Sequence, residues 1–91
     1  MKRRLVISAE AQSDLLRIRN YIADDNPGRA ETYLEELLAR CSAIADFPFS
    51  GPETLRRKGW RAVPYGFYMI FYTVTERRVR IRAVKHSATL K

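Results

Sequence analysis

The chain has 91 residues, 46% of them hydrophobic and 30% charged, with a formal net charge of +7. This length makes one domain, residues 1–91, that buries about two-thirds of its unfolded surface, and the composition excludes a disordered tail. No apolar run approaches the ~20 residues that span a bilayer, and Leu5-Val6-Ile7 after the basic start Met1-Lys2-Arg3-Arg4 is too short for a secretory signal, so a cytoplasmic protein without a membrane span is expected.

The stretch Arg4–Ile7 is rich in branched residues and predicts an edge strand. Ser8 is a suitable N-cap for a helix over Ala9–Ala23, where Ala11, Leu15, Ile18 and Ile22 form one apolar stripe. Asp24-Asp25-Asn26-Pro27-Gly28 breaks the chain. Asn26 reads as an N-cap with Pro27 at the first position of a second helix, Pro27–Asp46. Its stripe is Ala30, Leu34, Leu37, Cys41 and Ile44, widened by Tyr33, Leu38 and Ala45, and a short turn makes the two helices an antiparallel hairpin. The single Cys41 cannot form an internal disulfide and falls on the apolar stripe, which predicts a core residue. Pro48 and Pro52 stop this helix, and the cationic loop Arg56-Arg57-Lys58-Gly59 follows. Trp60–Val63, Phe67–Val74 and Val79–Lys85 are predicted strands, with turns at Pro64-Tyr65-Gly66 and Thr75-Glu76-Arg77. The tail after His86 is short and polar. The order β-α-α-β-β-β predicts an α+β fold: a small, mainly antiparallel sheet with a helical hairpin packed on one face.

Charge divides the chain. Residues 51–91 hold ten Lys/Arg and two acids, whereas residues 1–50 hold seven bases and eight acids. Strand alternation points Val79, Ile81 and Ala83 toward the hairpin and Arg78, Arg80 and Arg82 away from it. Arg61 is a candidate for that same face. Planar arginines suit carboxylate or phosphate recognition, so the expected partner is an acidic protein or a polyanion. The aromatics Trp60, Tyr65, Phe67, Tyr68, Phe71 and Tyr72 interleave with the bases, the equipment for stacking on single-stranded nucleic acid. Tyr65 and Tyr68 are expected to be the accessible ones. His86, the only histidine, is a candidate general acid or base, with Arg61 or Arg82 as charge stabiliser and Asp46, Glu53 or Glu76 as possible partners. There is no glycine-rich phosphate loop, paired metal-ligand motif or nucleophile elbow, so no metal or cofactor is expected. The second helix, with Glu31, Glu35, Glu36 and Asp46, is too acidic to enter a DNA groove, and no direct DNA binding is expected.

Several ordered marks carry a family resemblance. They are Ser8-Ala9-Glu10-Ala11 with Asp14-Leu15 and Ile18, then Tyr21-Ile22, Asn26-Pro27 with Ala30, and Phe47-Pro48-x-x-Gly51. The strands add Gly59-x-Arg61, Tyr68-x-Ile70-Phe71-Tyr72 and Val79-x-Ile81-x-x-Val84-x-His86. Over nearly its whole length the chain resembles the ParE branch of the RelE/ParE toxin superfamily.

That resemblance implies the toxin of a type II toxin–antitoxin pair of the plasmid-stabilisation kind. It would inhibit DNA gyrase and be neutralised by a ParD-type antitoxin, in an assembly of two plus two chains or more. The antitoxin's disordered acidic C-terminal half would fold onto the toxin, with Leu15, Ile18, Ile22, Leu34, Leu38, Arg78 and Arg80 as its expected contacts. Arg61, Arg80, Arg82, Lys85 and His86 are the expected target-binding residues. RelE-like relatives instead cleave mRNA on the ribosome, and here that alternative would rest on Arg61, Arg82 and His86 as catalytic residues. The chain lacks their lysine-rich middle strand and C-terminal tyrosine. A third reading is a degenerate toxin that acts mainly in complex formation and operon autoregulation.

Overall fold

Two side-chain caps set the helical half. The Ser8 hydroxyl accepts the Ala11 N–H at 3.1 Å and opens helix α1, Ala9–Ala23. The Asn26 side chain accepts the Arg29 N–H at 3.1 Å and opens helix α2, Pro27–Asp46, with Pro27 in its first turn. The computed structural model describes residues 3–55 and 57–90. Met1, Lys2, Arg56 and Lys91, which belong to the basic start, the cationic loop and the polar tail, lie outside them.

The hairpin packs on a four-stranded sheet of β1 (Arg4–Ile7), β2 (Arg61–Tyr65), β3 (Tyr68–Val74) and β4 (Arg78–His86), ordered β1-β4-β3-β2. Strand β1 runs parallel to β4, and the other neighbours are antiparallel. This is the expected α+β fold. The strands differ from the predicted ones by a residue or two, chiefly at the second turn. Pro64 and Tyr65 complete β2, and the chain reverses at Gly66-Phe67, where Gly66 takes φ +58°.

The core lies between the hairpin and one face of the sheet. Leu15, Ile18, Leu37, Cys41 and Ile44 meet Ile70, Tyr72, Val79, Ile81 and Val84 there. Tyr72 is fully buried, and its hydroxyl donates to the Pro48 carbonyl at 2.8 Å and accepts the Gly51 N–H at 3.0 Å. That contact fixes the loop leaving α2 and explains why Gly51 is glycine: a Cβ there would lie 2.8 Å from the Ala62 carbonyl oxygen.

Two features of β4 were not legible in the sequence. The register with β3 jumps from Phe71↔Ala83 to Tyr72↔Ile81, so Arg82 is the extra residue of a β-bulge. One extra residue inverts the alternation beyond it. Ala83, expected toward the hairpin, therefore joins Phe71 on the opposite face, and Val84 enters the core in its place. Asp14 is the second feature. It lies in the apolar stripe of α1 at 1% exposure. Its Oδ2 accepts the Val84 N–H at 2.9 Å, and its Oδ1 accepts Lys85 Nζ and Arg17 Nη1, each at 3.0 Å.

Replacing Asp14 by Leu leaves the Val84 N–H buried without an acceptor and Lys85 without its best-buried partner. Urea unfolding should show a loss of about 3 kcal/mol for Asp14→Leu, and less for Asp14→Asn, whose amide oxygen still accepts from Val84. Equal stability of the three proteins would contradict this role.

Candidate functional site

The sheet face away from the hairpin carries a cluster of arginines. In β4 it carries Arg78, Arg80 and Arg82, and the parallel pairing adds Arg4 directly opposite Arg78 and Val6 opposite Arg80. Arg82 Nε donates to the Thr73 hydroxyl at 3.1 Å, a neutral partner. Among the described residues, Arg4, Arg78 and Arg80 have no side-chain hydrogen bond or ion pair. On the helical side, by contrast, Arg17 pairs with Asp14, Arg19 with Glu31, and Arg29 with Glu36. Among the described residues, the unfavourable Arg4–Arg78 pairing across neighbouring strands is therefore left uncompensated. Arg4 and Val6 were missed from sequence because β1 could be read as an edge strand but not assigned a partner.

The five residues expected to bind a target do not share this face. Arg61 lies opposite Tyr72, on the hairpin side at the β2 start, where its Nη1 donates to the Gly51 carbonyl at 2.7 Å. Its guanidinium sits 5.0 Å from the Phe49 ring centroid, and that of Arg3 sits 5.3 Å from it. His86 lies opposite Tyr68, also on the hairpin side, because the bulge has reversed the alternation. It stacks on Phe67 with ring centroids 6.2 Å apart and accepts the Ala88 N–H at 3.1 Å through Nδ1. Tyr72 and Tyr68 are four residues apart on β3, so Arg61 and His86 are separated by about 13 Å along the sheet, and Arg82 points to the other face. The structure does not bring Arg61, Arg82 and His86 together. Lys85 is near the arginine face, but its ammonium is held by Asp14 at 3.0 Å and Glu10 at 3.2 Å. Burial alone would lower its pKa, and the hydrogen bonds to the two carboxylates outweigh this and hold it above the ordinary value.

The expected antitoxin contacts divide as well. Leu15 and Ile18 are 5% exposed and belong to the core, a correction to the sequence reading. The stripe that suggested a sticky surface is the one the sheet already covers. Ile22 and Leu34 are half-buried and Leu38 is 38% exposed, so these three remain reachable. Of the two aromatics expected to be accessible, Tyr65 is half-buried and Tyr68 is buried, packed beside Tyr33; Phe67, not singled out as accessible from sequence, is exposed. Two adjoining clefts of about 340 and 400 Å³ share Tyr21, Tyr68 and His86, and Phe67 lines the second. A third, of about 250 Å³, opens on the arginine face beside Trp60, Phe71 and Ala83.

Among the described residues, no group of three His, Cys, Asp or Glu side chains is placed to hold a metal ion, and no helix is long and apolar enough to cross a membrane. Cys41 is fully buried in α2, and burial pushes its thiol pKa up to about 11. The charged form is the disfavoured one, so the thiol stays protonated at pH 8. A thiol-directed reagent at that pH should leave native protein unmodified and label Cys41 fully once urea unfolds the chain; rapid native labelling would contradict the burial.

The sequence model of a family described as "ParE toxin of type II toxin-antitoxin system, parDE" matches residues 5–90. A comparison with curated proteins finds no match. Among solved structures, the chain is similar to one from the chromosomal ParDE system of P. aeruginosa, with a TM-score of 0.82 at 12% identity, covering 93% of this chain and 96% of that one. It is also similar to a chain of the toxin–antitoxin complex RelBE2 of Mycobacterium tuberculosis, with a TM-score of 0.71 at 20% identity, covering 94% and 99%. A chain of the E. coli DinJ–YafQ toxin–antitoxin complex gives 0.64 at 14% identity, covering 99% and 98%. These likenesses concern the fold, whereas the family match spans nearly the whole sequence: the chain belongs to the ParE toxins of type II toxin–antitoxin systems.

Proposed function

We propose that this toxin acts in the cytoplasm by inhibiting DNA gyrase, and that a ParD-type antitoxin neutralises it by laying an acidic segment across the helix-free sheet face. The observation that carries the reading is the arginine set Arg4, Arg78, Arg80 and Arg82, gathered on one face and without a carboxylate partner among the described residues. An acidic segment would supply the missing charge, and folding on contact suits a disordered antitoxin tail. Ile22, Leu34 and Leu38 are the apolar residues the hairpin still offers to such a partner. Two structural relatives, from RelBE2 and DinJ–YafQ, are chains of toxin–antitoxin complexes, which supports an antitoxin here; two plus two chains is the smallest assembly expected of a dimeric antitoxin.

A non-enzymatic target is favoured over mRNA cleavage by the placement of Arg61, Arg82 and His86. General acid–base chemistry needs its groups within hydrogen-bond reach of one reacting site, and these three lie on two faces and at two ends of the sheet.

The purified chain should block negative supercoiling by gyrase while leaving ribosome-bound mRNA intact. Codon-positioned cuts lost in His86→Gln, with gyrase unaffected, would overturn the assignment. The double substitution Arg80→Glu and Arg82→Glu should weaken antitoxin binding by about a hundredfold, or ~2.7 kcal/mol, at low ionic strength, and the difference should shrink as salt is raised.

A further inference from the structure

We propose that the cleft beside the Trp60–Phe71 pair is an anchor site, which takes one large apolar side chain from an acidic protein segment lying on the arginine face. The β-bulge creates it. By turning Ala83 onto the same face as Phe71, the bulge puts a small residue where a larger one would fill the space, and Ala62, the β2 partner of Phe71, is equally small. The result is a cleft of about 250 Å³ lined by Trp60 and Phe71, which pack on each other with ring centroids 6.3 Å apart at 46°, in an otherwise charged surface. Apolar concavities ringed by polar groups are the usual seat of an interface hot spot.

Charge selects the occupant. Arg80 lies opposite Thr73, two residues along β3 from Phe71 and thus about 7 Å away, so carboxylates flanking an anchored side chain would meet unpaired guanidinium groups. A nucleic acid fits less well. The Arg57 guanidinium already lies 4.4 Å from the Trp60 ring centroid, on a face where a base would stack. Glu10 lines the same cleft, and it binds Lys85, so a phosphate entering there meets a carboxylate and a cation already paired. The proposal rests on the reading that this face receives an acidic protein segment, and it is independent of which target the toxin inhibits.

Two short fluorescent Asp/Glu-rich peptides, differing only in a central Leu or Ala, test it by anisotropy against the full chain, with an oligouridylate of equal charge as comparator. The Leu peptide should bind about tenfold more tightly than the Ala peptide. Ala83→Leu, which fills the cleft, should abolish that difference while the Ala peptide binds as before. Trp60→Ala, which removes one wall, should do the same should Ala83→Leu not fold. Arg80→Gln should weaken both peptides alike. Equal binding of the two peptides by the unmodified chain would overturn the anchor and leave the acidic-partner reading standing. No binding of either peptide would overturn both. Tighter binding of the oligouridylate, lost in Trp60→Ala, would make the cleft a nucleic-acid site instead.

Discussion

Strand β1 pairs with β4 only as far as Ile81, and beyond that point β4 would present an open edge at the sheet centre. Two side chains of the first helical segment close it. The Ser8 hydroxyl donates to the Arg82 carbonyl at 3.1 Å, and the Asp14 carboxylate accepts the Val84 N–H at 2.9 Å. Helix α1 thereby continues, with side chains, the hydrogen bonding that β1 began with backbone. A buried carboxylate is tolerable only when its lone pairs are satisfied, and here two cations and an amide do so. The seating of α1 against β4 and the tethering of Lys85 both depend on this one group.

The helices were legible because their signals are local. Ser8 and Asn26 announce the caps, Pro27 the first turn, and the apolar spacing the buried face. The strands were legible as runs of branched and aromatic residues. What stayed hidden depends on contacts between distant segments. Nothing around Arg82 distinguishes a bulge from a regular strand, yet that single residue decides which side Ala83 and His86 occupy. Asp14 reads as a break in an apolar stripe until the β4 edge above it is known. The same limits explain the site. Arg78, Arg80 and Arg82 could be placed on one face from alternation, but Arg4 joins them only through a parallel pairing made across more than seventy residues, and Arg61 and His86 leave them for reasons of register.

The charge division of the sequence also acquires a geometric form. The two helices with their connecting turn, residues 9–46, carry four arginines against eight acids, so the hairpin is acidic. Arg17, Arg19 and Arg29 pair with acids of the hairpin, and the Glu36 carboxylate, held by Arg29 and by the Tyr65 hydroxyl at 2.6 Å, is kept below its usual pKa. These bonds engage three of the hairpin's arginines, and the Tyr65 hydroxyl ties α2 to β2. The excess is left on the sheet face, where the hairpin cannot reach it. Polyanion attraction and structural cohesion are thus assigned to opposite sides of one sheet only about 10 Å deep in packing terms, with the bulged strand serving both.

The ends of that sheet are unequal. In β2 the outward-facing backbone positions are Ala62 and Pro64: the Ala62 N–H already donates to the Pro52 carbonyl at 3.1 Å, and proline has no N–H to offer. The opposite end is a strand of four residues, with the Ile7 carbonyl taken by Gln12 at 2.9 Å. Head-to-tail stacking of sheets into a fibre needs two receptive edges per molecule, and this one has at most a short stretch on one side. A small basic protein with an open sheet face is in this way shielded from polymerising with its own copies.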